Sequence, residues 1–315
     1  MNRNAWGAVS SPMRAFLGPV VSLLVGVAWS MPAPAQVVVL QDTEYLREER
    51  PEAWAMHYFT ASSLMTGFGP VPALAPGHWQ AAVELGEVPH LDATQRVVGF
   101  NGTKAEDLNK SPVVGRLRGW IGLPGGFVAE LGWTPPVTFD GARPRDLFAA
   151  AIGRRVVDAH GYTVSLRAFG QHGAVTGDVT CPADLAGVQD FVANPYGCDA
   201  PSSDTLHANY YGLESTFAYS GTAWTWHATG GVVRMENEVQ VDAPTFGFRD
   251  RTRLVARDDL PYIAAGVGRA LSSHWHVGAE VLYVPLQVLR DPNGSADNDP
   301  LLSYRLQLAY RFDAR

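Results

Sequence analysis

Residues 303–312 alternate: Tyr304, Leu306, Leu308, Tyr310 and Phe312 share one face, and Ser303, Arg305, Gln307 and Arg311 fall on the other. Successive side chains of a strand point to opposite faces, so a period of two commits this stretch to an extended strand with one apolar side. A half-buried strand of a water-soluble sheet also alternates. Here the apolar face is aromatic at both ends, as expected of a strand that crosses lipid between two interfacial girdles.

The same pattern recurs upstream. Phe127, Ala129, Leu131 and Trp133 oppose Glu130 and Thr134, while Trp275, Val277, Ala279, Val281 and Tyr283 oppose His276, Gly278 and Glu280. Trp224 and Trp226 oppose Thr225 and His227, and Tyr211, Leu213, Phe217 and Tyr219 oppose Glu214 and Thr216. The amphipathic segments are 79–88, 113–123, 127–134, 147–157, 162–179, 207–220, 223–241, 260–271, 275–289 and 302–312. Long polar stretches at 89–112, 135–146, 180–206, 242–259 and 290–301 trade places with tight turns at 124–126, 158–161, 220–222 and 272–274. Membrane barrels show this asymmetry, with short periplasmic turns and longer extracellular loops. The expected fold is all-β: an up-and-down antiparallel transmembrane β-barrel of about ten strands over residues 78–312, with both chain ends on the short-turn side.

If the aromatic faces meet lipid, the opposite faces turn Glu84, Arg116, Arg118, Glu130, Arg167, Glu214, His227, Glu280, Arg305 and Gln307 into the lumen. Both signs occur there, and unpaired charge is costly in so narrow a space, which predicts Arg–Glu pairing or trapped water. Two readings stand side by side: a structural salt-bridge core, and a conducting or binding path. About eight strands leave an interior that side chains just fill, so about ten leave at most a narrow tunnel or small-ligand pocket.

At the front, Arg3 and Arg14 precede a broken apolar run over residues 15–28, and Ala33-Pro34-Ala35 offers an A-x-A cleavage site. Residues 1–35 read as a secretory signal peptide; a retained anchor is the alternative, but the run falls short of the ~20 apolar residues a span requires. No cysteine stands at the cleavage point, which argues against lipoprotein processing. Residues 36–77 form an N-terminal periplasmic or plug segment. Arg50-Pro51-Glu52-Ala53-Trp54 marks a short helix start, with the helix tucking into or capping the periplasmic mouth, or else fraying in a flexible tether. Pro70, Pro72, Pro76 and Gly77 then make a stiff linker into the first strand.

The chain carries a net charge of −7 and only two cysteines. An acidic balance excludes nucleic acid as a natural partner. Cys181 and Cys198 lie within one polar loop, and in an exported chain they read as a single disulfide pinning it, worth about 3 kcal/mol in the chain-entropy model. Nothing requires a cofactor or a metal: His207 is the one histidine near the cysteines, and the acidic stretch at 291–299 lacks EF-hand spacing.

The histidines are the candidates for catalysis. His78, His160, His274 and His276 fall at the short-turn end, and His90, His172 and His207 toward the outer rim; His57 lies in the N-terminal segment. A His172–Asp178–His207 group and a Glu214–His227 pair are the arrangements to look for, although no nucleophile motif such as Gly-x-Ser-x-Gly accompanies them.

Residues 112–312 resemble a bacterial outer-membrane β-barrel of the porin-like or uncharacterised group, through Gly122-Leu123-Pro124-Gly125-Gly126, Trp133-Thr134-Pro135-Pro136, the Cys181–Cys198 loop and the terminal 306–312 run. An aromatic residue near the chain end is similar to the assembly signal of such proteins, though Asp313, Ala314 and Arg315 follow Phe312. The Gly-Leu-Pro turn and Pro-Pro exit also faintly resemble the transporter barrels for fatty acids and aromatic hydrocarbons, which carry an N-terminal plug but more strands. The resemblance implies outer-membrane lipid and the barrel assembly machinery as partners, a monomer, and a small solute bound or passed. An adhesion or structural barrel acting through the disulfide loop is the alternative, and an outer-membrane hydrolase a third.

Overall fold

A computed structural model describes residues 38–312. The signal peptide read over residues 1–35 lies outside them, as do residues 313–315. Ten long strands form the body: β1 (Trp79–Glu87), β2 (Val113–Gly122), β3 (Phe127–Trp133), β4 (Arg143–Ala159), β5 (Tyr162–Gly177), β6 (Tyr210–Ser220), β7 (Trp224–Met235), β8 (Asp259–Ala270), β9 (Trp275–Val284) and β10 (Leu301–Arg311). Each pairs antiparallel with its sequence neighbours, and β10 closes the ring on β1, with Arg305 opposite Gly86 and Arg311 opposite Gln80.

Alternation dictates the wall. Along β6, Tyr211, Leu213, Phe217 and Tyr219 are exposed, and Tyr210, Glu214, Thr216 and Ala218 are buried. Leu131 is 69% exposed and Leu213 64%, while Arg118 and Glu84 are buried, the reverse of a water-soluble protein. A barrel satisfies every strand's backbone groups internally and so has no edge to expose to hydrocarbon, which lets such an inverted surface exist. No helix among the described residues is long and apolar enough to cross a membrane.

The turns sit at one end. His160 and Gly161 both take positive φ (54° and 82°), the pairing that a two-residue hairpin turn needs to match strand twist. At this end Trp79 also stacks on Phe312, ring centroids 3.5 Å apart.

At the other end several strands leave the ring. The distal part of β5 pairs with Asp204–His207, which pairs with Asn237–Gln240, then Arg253–Ala256, and finally in parallel with Thr43–Tyr45. Val38–Leu40 pairs in parallel with Phe248–Asp250 in a second small sheet. The sequence pattern had merged 207–220 and 223–241 into single strands. Each breaks at an asparagine region: the Asn209 amide donates to Asn237 Oδ1 (3.1 Å), and Asn237 Nδ2 donates to Thr60 Oγ1 (2.7 Å). The strand expected over 275–289 stops at Val284, because Pro285 has no N–H for the ladder.

The N-terminal segment departs most from expectation. Helix α1 (Pro51–Ser62) sits at the long-loop end, not the short-turn mouth: Trp54 Nε1 donates to the Asp299 carbonyl (3.1 Å), His57 pairs with Asp258 (2.8 Å), and the Tyr58 hydroxyl donates to the Pro89 carbonyl. All three partners belong to long connections. From α1 the chain descends through the ring. The Val71 amide donates to Ser165 Oγ (3.1 Å), and the Gly77 amide reaches the Gly122 carbonyl (2.9 Å) at the foot of β2. A Cβ on Gly122 would lie 2.2 Å from the Ala75 carbonyl, so only glycine lets this strap press against the wall. The described start of the chain therefore stands at the long-loop end and Phe312 at the other, whereas both ends were expected together.

Candidate functional site

Two places hold the chemistry: the lumen and the cap above it. In the lumen, four arginines from β2, β5 and β10 grip consecutive carbonyls where α1 ends. Arg305 donates to Ala61 (3.0 Å) and to Leu64, Arg116 to Ser63 (2.6 Å), Arg167 to Met65 (3.0 Å) and Arg118 to Thr66 (2.8 Å). Ala61 is among the last carbonyls of the helix, which form its negative pole, and the carbonyls from Ser63 to Thr66 belong to the extended chain beyond it, whose buried backbone groups need partners of their own.

Carboxylates balance the arginines. Arg118 bridges Glu84 (2.7 Å) and Glu130, and Arg167 bridges Glu130 (2.9 Å) and Glu214 (3.1 Å). Glu280 accepts from Thr66 Oγ1 (2.5 Å) and pairs with His227 (3.2 Å). Tyr262 donates to Glu214 (2.5 Å), and the Met65 amide donates to the Tyr210 hydroxyl (2.9 Å). Gln307 lies half-buried on the same face of β10, one step below Arg305, opposite Glu84. Buried charges are tolerated when paired and hydrogen-bonded, and this set has four arginines for four glutamates, with Arg305 held by strap carbonyls in place of a carboxylate. Beside the strap at Gly67 and Gly69 the remaining void is about 10 Å³, room for a single water.

The expected Glu214–His227 pair does not form, because Glu214 is taken by Arg167 and Tyr262, and His227 by Glu280. The His172–Asp178–His207 group is likewise not assembled. His172 is exposed, and Asp178 is held by Lys110 (2.8 Å). Among the described residues no three metal-ligating side chains converge. In the acidic loop, Asp299 pairs with Arg290 (2.6 Å).

The cap encloses the roomier space, a cavity of about 560 Å³. Its floor is the upper face of α1, through Ala55, Met56 and Phe59; Val98 and Leu108 come from the first long connection, Val175 from the top of β5 and Val179 from just beyond it, and Leu206, Val239 and Leu254 from the cap sheet. Carboxylates dominate the polar lining. Arg50 is held by Glu44 and by Glu52 (2.8 Å), and Asp204 Oδ2 accepts from the Thr180 amide and Ser202 Oγ, both at 2.7 Å. Burial pushes the Glu106 carboxyl up to about 8 despite the opposing pull of Lys104, 2.6 Å away. Hydrogen bonds and charge from Lys110 and the Ala183 amide outweigh desolvation at Asp178 and hold its carboxyl below the usual range.

At the rim, Phe100 and Asn101 adopt left-handed backbone (φ 48° and 57°), and the Asn101 amide donates to Glu52. Left-handed backbone at a bulky residue persists only where surrounding contacts enforce it. Phe100 stacks on Tyr196 (5.6 Å), and the Tyr196 hydroxyl donates to the Thr103 carbonyl (2.6 Å). Tyr196 lies inside the loop closed by the Cys181–Cys198 disulfide, so that loop buttresses the cavity rim. The cavity was not legible in the sequence because its lining is gathered from seven separated stretches between residues 42 and 254. No single stretch supplies more than part of the wall, so no local pattern marks it.

The closed ring, its outward apolar belt and its division into short turns and long loops are those of an outer-membrane β-barrel. No protein-family model matches the chain, and no curated protein matches its sequence. Among solved structures, the outer membrane protease OmpT of Escherichia coli overlaps 75% of this chain and 94% of its own at 10% identity and a TM-score of 0.38. Ail, the attachment invasion locus protein of Yersinia pestis, overlaps 76% of this chain and 100% of its own at 9% identity and 0.28. The Pseudomonas putida toluene transporter TodX overlaps 76% of this chain and 69% of its own at 11% identity and 0.31. None of these overlaps is close enough to assign a role to any residue here.

Proposed function

We propose that the protein is a plugged barrel of the bacterial outer membrane that binds a small amphipathic solute in its cap, at the cell surface, and does not pass solutes freely through its lumen. The observation that carries this reading is the strap of residues 63–77, which occupies the ring and leaves a cavity of roughly 560 Å³, a size fit for a small ligand, over α1. Its walls are aliphatic and its polar lining is rich in carboxylates, which favours a solute with an apolar body and a cationic or hydrogen-bond-donating end. The lumen residues Glu84, Arg116, Arg118, Glu130, Arg167, Glu214, His227, Glu280, Arg305 and Gln307 then serve to hold the plug and not to line a path.

The test is a dye titration of purified protein in detergent. A long-chain alkylammonium dye is expected to bind more tightly than its alkyl sulfate counterpart, and Val239→Trp, which fills the cavity, is expected to abolish binding while the barrel keeps its resistance to detergent unfolding. Binding unchanged by Val239→Trp overturns the reading.

A second reading rests on the disulfide loop. Phe191 and Val192 stand 76% and 91% exposed at its tip, as an anchor for another surface would. Deleting residues 189–193 abolishes cell adhesion under that reading and leaves dye binding intact under the first.

A further inference from the structure

The barrel wall carries a second feature, outside the lumen and the cap. Between β2 and β5 a groove of about 640 Å³ runs along the outer surface. Registers Gly119–Leu131–Ala150–Gly170 and Leu117–Trp133–Phe148–His172 lie side by side across four strands. Gly119, Ala150 and Gly170 leave its floor low, while Leu131, Trp133 and Phe148 project beside them. Trp133 and Phe148 belong to the upper aromatic girdle, so the groove opens into the hydrocarbon just beneath the long-loop interface.

Above it the wall changes character within one bulge. His172 pairs with Phe148, Ala174 with Arg145 and Thr176 with Arg143, so β4 spends an extra residue at Asp146. Asp146 takes φ 50°, and Gly173 opposite takes φ 144°, where a Cβ would lie 2.3 Å from the Asp146 carbonyl. The bulge keeps Arg145 and Arg143 in line with outward-facing His172, at about 7 and 14 Å along the strand above it. All three are exposed. Among the described residues neither Arg143 nor Arg145 makes an ion pair, although most other arginines of the molecule do; Asp146 is the one acid between them and the groove.

From this juxtaposition we infer that the face is a binding site for a phosphate-bearing lipid of the outer leaflet, one acyl chain lying in the groove and its phosphate on Arg145, Arg143 and His172. A bilayer lipid is the occupant because the apolar part lies at hydrocarbon depth and the free cations at headgroup depth, the order in which a lipid presents them. Unpaired arginines at a membrane surface attract anionic headgroups, and small residues in a wall admit a chain where larger ones exclude it.

The inference rests on the barrel lying in a membrane, and the experiment separates the two. The protein is inserted into nanodiscs of phosphatidylcholine containing a minority of phosphatidylglycerol, then released and weighed by native mass spectrometry. The wild type is expected to retain one phosphatidylglycerol in preference to phosphatidylcholine. Arg143→Ala with Arg145→Ala lowers that preference about tenfold or more, and Ala150→Phe, on the lipid-facing floor, removes retention of both lipids. Insertion without any phosphatidylglycerol preference, or retention unaffected by Ala150→Phe in a variant that still resists detergent unfolding, overturns the inference and leaves the barrel standing. Failure to insert overturns the membrane reading itself.

Discussion

Arg118 concentrates the residue-scale logic. It joins Glu84 and Glu130 to the Thr66 carbonyl, so its loss leaves Glu84 without a close cation, takes one of Glu130's two arginines and releases the strap at Thr66. Arg118→Met is expected to cost about 3–5 kcal/mol, the usual penalty for breaking a buried ion pair from one side. The temperature at which the barrel stops migrating as a folded band measures it, and adding Glu84→Gln, which removes the carboxylate left without a close cation, should recover part of the loss. Glu106 makes a pH prediction in the cap. Burial, with help from Asp204 and Glu52, raises its carboxyl from 4.5 to about 8 against the pull of Lys104. A raised folded-state value favours the protonated form, so this stabilisation is whole below the ordinary value and lost as pH climbs through the folded one. Amide exchange over residues 97–108, corrected for intrinsic rates, should therefore rise between pH 5 and pH 9 by more than in Glu106→Gln, which should stay flat. The pairing of lumen charges was foreseeable from alternation alone, because arginine and glutamate share the inward face. Which glutamate meets which arginine was not, because partners such as Arg167 and Glu130 are 37 positions apart and meet only through strand register.

At the scale of elements, the long connections are built structure. The disulfide closes a loop whose Asn194 amide side chain also donates to the Val188 and Cys198 carbonyls, at 3.0 and 3.1 Å. Replacing both cysteines by serine should loosen this loop by about 3 kcal/mol in the chain-entropy model. Limited proteolysis should then cut within residues 181–198 while the ring stays resistant, and dye binding should weaken because Tyr196 no longer braces Phe100. The ten ring strands were legible because lipid enforces a period of two across each of them. The short strands of the cap were not: Asp204–His207 and Arg253–Ala256 are four residues each, too short for a period to register, and they exist only because β5 outgrows the membrane and offers an edge to pair with.

For the whole molecule, the decisive relation is between the ring and the chain that passes through it. Full-length protein in a planar bilayer should show no stable conductance steps, and removal of residues 45–76 should produce them, since the lumen then holds side chains alone. The helix was visible in the sequence through Pro51 and Glu52, but its address was not. Nothing local distinguishes a segment that ends at one mouth from one that traverses to the other; the arginines that fix it lie at positions 116 to 305. That traverse has a mechanical corollary. With α1 and the paired strands 38–45 folded on the far side, the molecule is a rivet whose shank is the strap and whose head is wider than the hole. Either the ring closes around the shank or the shank threads the ring before the head folds, so ring closure and head folding are coupled in assembly. A pull applied at residue 78 has to crumple the head before anything slides.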